Sequence, residues 1–180
     1  MADKSREGCI ICQIIAGKIP SKKIYEDEQV MAVLDVNGAN PGHCFVIPKN
    51  HYPIIEQIPD SEISRLFQVS NKISTAIFES LGAQGTNIFV ANGIPAGQTV
   101  AHAVVNVIPR KENDGINLQW TPKQLSEEEM STVELRLKEQ SKNIGNFEKE
   151  IKKTKIQSSE IEFLSEDEEE YFTKQLRRLP

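Results

Sequence analysis

The chain has 180 residues, of which 38% are hydrophobic and 26% charged, a composition that supports one compact core with extensions. Its net charge of −5 and isoelectric point near 5.3 give no basic field for a nucleic-acid polymer, and no stretch approaches the roughly eighteen apolar residues of a membrane span. The polar start, MADKSREG, is not a secretory core, so neither nucleic acid nor membrane is an expected partner and a cytoplasmic location is expected.

In chain order, residues 9–16 form a short apolar stretch that Gly17 stops in the manner of a helix C-cap. Strand-like runs follow at 29–35 and 43–47, and the turn-forming residues between them, 37–42, predict an antiparallel pair. Over 60–81 the residues Ile63, Leu66, Phe67, Ser70, Ile73, Ile77 and Leu81 recur at nearly helical spacing. With Asp60 or Ser61 as cap and Gly82 beyond the end, this predicts one long amphipathic helix. Two further strands are predicted at 86–92 and 100–108, joined by the loop 93–99. The order β, β, α, β, β predicts an α+β fold, an antiparallel sheet packed with one long helix.

After Pro109 the composition turns polar and rich in Lys and Glu, which divides the chain into an expected domain, 1–112, and a mainly helical extension, 113–180. Within the extension, 122–140 reads as a helix, 165–170 as an acidic run and 171–179 as a last amphipathic turn or two. The charge runs are read as solvated faces ahead of binding tails.

The three cysteines are Cys9, Cys12 and Cys44, and in a chain without a secretion signal metal binding outranks disulfide bonding. Cys9 and Cys12 are spaced to grip one ion, yet by themselves they also fit two buried apolar cysteines or a redox pair. The three histidines, His43, His51 and His102, tip that balance. His51 follows a strand end and His102 lies within a predicted strand, so each can reach a common point, and two Cys with two His close a metal site. His43, beside Cys44, reads as a hydrogen-bonded core or surface residue and not as a ligand.

The segment 97–110, GQTVAHAVVNVIPR, resembles the motif of the histidine-triad (HIT) family, in which three histidines alternate with apolar residues after a Gly-Gln pair. The resemblance continues through Tyr25-Glu26-Asp27, Ala32-Val33-Leu34-Asp35, Asn40-Pro41-Gly42-His43, Val46-Ile47-Pro48-Lys49-Asn50-His51 and Asn92-Gly93, roughly residues 8 to 112. Only His102 of the triad remains. Alternation along a strand points 102, 104 and 106 to one face, and Val104 and Asn106 occupy the other two places. In the family the middle histidine attacks the α-phosphorus to form a nucleotidyl-histidine, so the resemblance implies a nucleotide-binding protein in which Val104 removes the nucleophile and catalysis is impaired.

The resemblance also implies ligands. Some members hold zinc between an N-terminal Cys pair, a histidine after the Val-Ile-Pro-Lys strand and the first triad histidine, which implies a closed structural zinc site at Cys9, Cys12, His51 and His102. Asp35 matches the ribose-binding acid, Gly97, Gln98 and Thr99 the phosphate loop, and Asn92 a residue near the α-phosphate, while Asn106 retains hydrogen-bonding capacity. Without the family, Asn92, Gly97, Gln98 and Thr99 read as turn chemistry and Asp35 as a capping or solvent-facing acid. A homodimer is implied by the same analogy. Two other readings stay open: a residual nucleotidyl hydrolase or transferase acting on a nucleoside phosphoramidate or dinucleotide, and a zinc-stabilised dimeric scaffold that binds a protein partner through its C-terminal tail.

Overall fold

A computed structural model describes residues 4–144, and the expected acidic run and final amphipathic turns lie outside them. The chain divides into two units, Met1–Val133 and Glu134–Pro180. In the first unit, helices α1 (Lys4–Glu7) and α2 (Ile10–Ile15) precede strands β1 (Lys23–Glu26), β2 (Val30–Leu34) and β3 (Cys44–Pro48). The long helix α3 (Asp60–Leu81) follows, then β4 (Gly85–Val90) and β5 (Val105–Arg110), and α4 (Glu127–Gln140) runs across the boundary between the two units in sequence. The five strands form one antiparallel sheet in the order β1-β2-β3-β5-β4. No described helix is long and apolar enough to cross a membrane.

The period-two pattern of the strands sorts two apolar layers. Val30 and Ala32 of β2, Cys44 and Val46 of β3, and Val105 and Val107 of β5 pack with Leu66, Val69, Ile73 and Ile77 of α3. Met31, Val33 and Ile47 turn to the opposite face, where Cys9 and Ile11 of the α2 segment cover them. One face of the sheet therefore carries the long helix, and the other carries α2 and the cleft described below.

The α3 span matches the sequence expectation, and Gly82 ends the helix at φ 58°, ψ 36°, a left-handed conformation that glycine adopts without penalty. The expected side-chain cap is not formed: Asp60 lies inside the first turn, Pro59 holds the cap position, and Asp60 and Glu62 complement the helix dipole instead. Phe67 and Leu81 are exposed, and Val69 takes a core place in this layer.

Two strand expectations are corrected. Strand β1 was not foreseen, because an edge strand whose residues are mostly exposed carries no alternating apolar signal. Strand β5 begins at Val105 instead of 100, because the His102 amide turns back to Val100 O at 2.9 Å and the Ala103 amide goes to Tyr52 O at 2.6 Å, which holds this stretch off the ladder. His102 thus sits on a bend, outside the strand. At α4, the Ser126 hydroxyl accepts the Glu129 amide while the Glu129 carboxylate accepts the Ser126 amide, a capping box that starts the helix at Glu127 and not at 122.

Candidate functional site

Two adjoining features occupy the sheet face opposite α3. The first is a cluster of Cys9, Cys12, His51 and His102, whose ligand atoms all lie within 4.8 Å of one another. Cys9 stands at the N-cap of α2 and Cys12 one turn on, so the helix brings both thiols to one side. His51 follows β3 and His102 the bend before β5. Cys12 Sγ lies 3.3 Å from His51 Nδ1 and 3.6 Å from His102 Nδ1, and Cys9 Sγ lies 3.6 Å from the same His102 nitrogen.

His102 is 1% exposed, and burial pushes its pKa down to about 4, so the ring is neutral. Its Nε2–H donates to Pro48 O at 3.0 Å, which leaves the Nδ1 lone pair facing the thiols. The segment carrying His51 is held from both flanks: Asn50 Nδ2 and Tyr52 OH donate to Glu62 Oε1 at 3.1 and 3.0 Å. Among the described residues, Glu62 Oε2 is buried with no hydrogen-bond partner. This set of donors is suited to a metal ion, with two soft thiols from one helix and two imidazoles from two other segments. The third cysteine, Cys44, faces the α3 core and takes no part.

The second feature is a cleft of about 390 Å³ between α2 and the sheet. Asp35, Gly97, Gln98, Thr99, Val104 and Asn106 all line it, as does one side of His102. The alternation expected along 102, 104 and 106 thus survives although only Asn106 belongs to the strand, while Ala103, Val105 and Val107 turn to the α3 core. The apolar wall comes from Ile10, Ile14, Phe45, Phe89 and Val100.

Asn92 is not on the cleft wall: its amide accepts the Ile55 N–H at 3.1 Å and donates to Glu56 at 2.6 Å, tying two loops together. Gln98 lines the cleft, but its side chain is committed to the loops, accepting the Gly93 amide and donating to Pro53 O and Val100 O. Asp35 accepts the Asn37 amide at 2.9 Å in an Asx turn and keeps its other oxygen toward His43.

His43 is the residue that sequence reasoning left out. It is buried on the cleft wall, its Nε2–H donates to Asn106 Oδ1 at 3.2 Å, and its Nδ1 accepts the Ala39 amide at 3.1 Å. Since Nδ1 is an acceptor, the 3.5 Å approach of Asp35 Oδ2 to it is a contact between two acceptors and not an ion pair. Its scarcity as one of three histidines, next to a turn that feeds β3, was the available signal.

The family model described as "HIT domain" matches residues 16–113. An adenylylsulfatase of Arabidopsis thaliana is 41% identical over 106 residues, 59% of this chain and 54% of its own length, so the present chain spans about half of that relative. The crystal structure of a histidine triad nucleotide-binding protein from Candida albicans superposes with a TM-score of 0.67 at 29% identity, covering 74% of this chain and 96% of that one. A zinc-bound histidine triad family protein from Mycobacterium smegmatis superposes with a TM-score of 0.60 at 31% identity, over 76% of this chain and 97% of that one.

Proposed function

Because the chain belongs to the HIT family, a family of nucleotide-binding, hydrolase-type proteins, we propose that it binds a nucleotide in this cleft without forming a nucleotidyl-enzyme. The carrying observation is Val104, which lines the cleft where the family motif has its nucleophile and offers phosphorus no lone pair. Neither of the other candidates replaces it: Cys44 points into the core, and the His43 proton and lone pair are both engaged. Asp35 takes the ribose hydroxyls, Thr99 and Asn106 face the 5′ end of the sugar, and Gly97 and Gln98 shape the loop between them. The adenylyl chemistry in the name of the plant relative makes adenine nucleotides the first ligands to try.

The four-residue cluster holds zinc in the same reading. Its sulfur–nitrogen separations of 3.3–3.6 Å fit the roughly 3.5 Å between such ligands on a tetrahedral zinc ion with bonds of about 2.3 and 2.0–2.1 Å. Four protein ligands leave no open position, so the ion braces the wall of the cleft and does no chemistry there. Exposed Phe67, Phe78 and Leu81 on α3, with Ile88 on the edge strand β4, support a homodimer.

The test is calorimetric titration of the metal-replete protein with AMP, beside a turnover assay on adenosine phosphoramidate. Binding that Asp35→Ala weakens by about tenfold or more, with turnover no faster than buffer, supports the proposal. Turnover abolished by Asp35→Ala returns the protein to the hydrolases, and a folded protein that binds neither AMP nor adenosine rejects the reading.

A further inference from the structure

We infer that the cleft recognises the nucleoside part of its ligand and gains nothing from a terminal phosphate, so that its preferred ligand is a nucleoside or a nucleoside with an uncharged 5′ substituent. This rests on the reading of the cleft as the nucleotide site.

The charge distribution comes first. None of the residues lining the cleft is Lys or Arg, and its one carboxylate is Asp35. The nearby cations Arg6, Lys18 and Lys49 line a different depression, shared with Cys12. A divalent ion held by two thiolates and two neutral imidazoles is formally uncharged as a cluster, so metal loading does not supply the missing positive field.

The inventory of donors leads to the same place. In the loop that the sequence assigns to phosphates, the amides of Ala96, Gly97 and Gln98 bond to Gly93 O or Ile94 O. The Gly93 amide and the Gln98 side chain are also consumed within the loops. His43 gives its ring proton to Asn106, and His102 gives its own to Pro48 O. Among the described residues, the donors left on the cleft wall are the Thr99 hydroxyl, the side-chain amides of Asn37 and Asn106 and the backbone amides of Thr99 and Val100, all of them neutral.

A phosphate dianion that enters such a wall sheds strongly held water and meets no countercharge, while Asp35 repels it. A nucleoside loses little by the same move. Its base and sugar meet Ile10, Ile14, Phe45, Phe89 and Val104, and its ribose hydroxyls can donate to Asp35. Two imidazoles at 104 and 106 would have offered protons to a phosphate, and Val104 and Asn106 leave a single neutral amide in their place.

The experiment compares adenosine with AMP by calorimetry on the metal-replete full chain, at low and at moderate salt. The expected result is adenosine binding with AMP within about threefold of it or weaker, and little dependence on salt. AMP binding about tenfold or more tighter than adenosine overturns the inference while leaving the nucleotide reading intact. Binding of neither ligand removes that reading and the inference with it. As a second arm, Thr99→Lys places a cation at the exposed rim of the cleft and should raise the ratio of AMP to adenosine affinity about tenfold, whereas an unchanged ratio shows that charge was not what AMP lacked.

Discussion

His43 Nε2 donates a hydrogen bond to Asn106 Oδ1 across 3.2 Å, joining the loop before β3 to the β5 position at which the HIT motif has its third histidine. The contact ties Asn106 to the opposite polar wall of the cleft, which His43 also lines. Val104, two residues back and on the same wall, is therefore displayed in an intact setting, which makes the site repairable.

Val104→His should restore a nucleophile. Loss of such a residue costs on the order of 10⁴ to 10⁶ in turnover, so even an ill-positioned imidazole should raise adenosine phosphoramidate hydrolysis at least about tenfold above wild type. Steady-state rates, together with intact mass measurement of an adenylylated chain, check this. A variant with no added rate and no mass increment would mean that the wall no longer presents position 104 to phosphorus.

Removing the metal should destabilise the fold. An ion present at 100 to 1,000 times its dissociation constant contributes about 2.7 to 4.1 kcal/mol, and its removal by a chelator should lower Tm by roughly 10 °C. Scanning calorimetry before chelation, after it, and after zinc is returned measures the effect, and Cys12→Ser should reproduce the chelated state.

Glu62→Ala should weaken metal binding without touching a ligand. The Glu62 carboxylate holds Asn50 and Tyr52 on either side of His51, and losses of about 10- to 100-fold are usual when the groups that orient a ligand are removed. A competition titration against a chromophoric chelator reads the affinity. Equal metal affinity in wild type and variant would reduce Glu62 to a packing role.

Stability should fall in acid partly through Asp27. Burial raises its pKa, but hydrogen bonds from the Val30 and Gln29 amides, Arg65 and Tyr25 outweigh this and bring it from 3.8 to about 2. The folded value lies below the unfolded one, so the contribution is complete above pH of about 4 and is lost as pH falls towards about 2. Urea midpoints measured across that range should show a shallower acid decline in Asp27→Asn, which should also be less stable at neutral pH. Parallel curves would exclude Asp27 from the acid limb.

How much of this was legible in the sequence depended on the range of the interactions involved. Helix α3 was readable because its signal is local and repeated, and Gly82 marks its end with a backbone state that few other residues accept. The quartet Cys9, Cys12, His51 and His102 was assigned by resemblance, and the fold brings its members together. The start of β5 was misplaced because one long-range bond, from Ala103 N–H to Tyr52 O, ends an alternation that otherwise continues smoothly. Asn92 and Gln98 match a nucleotide motif, but whether a side-chain amide serves a ligand or a neighbouring loop is decided by bonds to Ile55, Glu56 and Pro53, some 36 to 45 residues away. Edge strand β1 carries its information in pairing with β2, not in its own composition.

Cys44 gives the molecule a built-in chemical report on its own state. Its Sγ donates to Gly42 O at 2.9 Å and burial lifts its pKa to about 11, so in the folded chain it is closed to alkylation. Cys9 is buried and Cys12 half-buried, both against the ring of His102, and a shared ion would tie up both thiols. A brief pulse of iodoacetamide should therefore label no cysteine in a loaded molecule, Cys12 first in an empty one and all three in an unfolded one. A single mass spectrum then separates the three populations within one sample, with neither a spectroscopic metal nor a ligand.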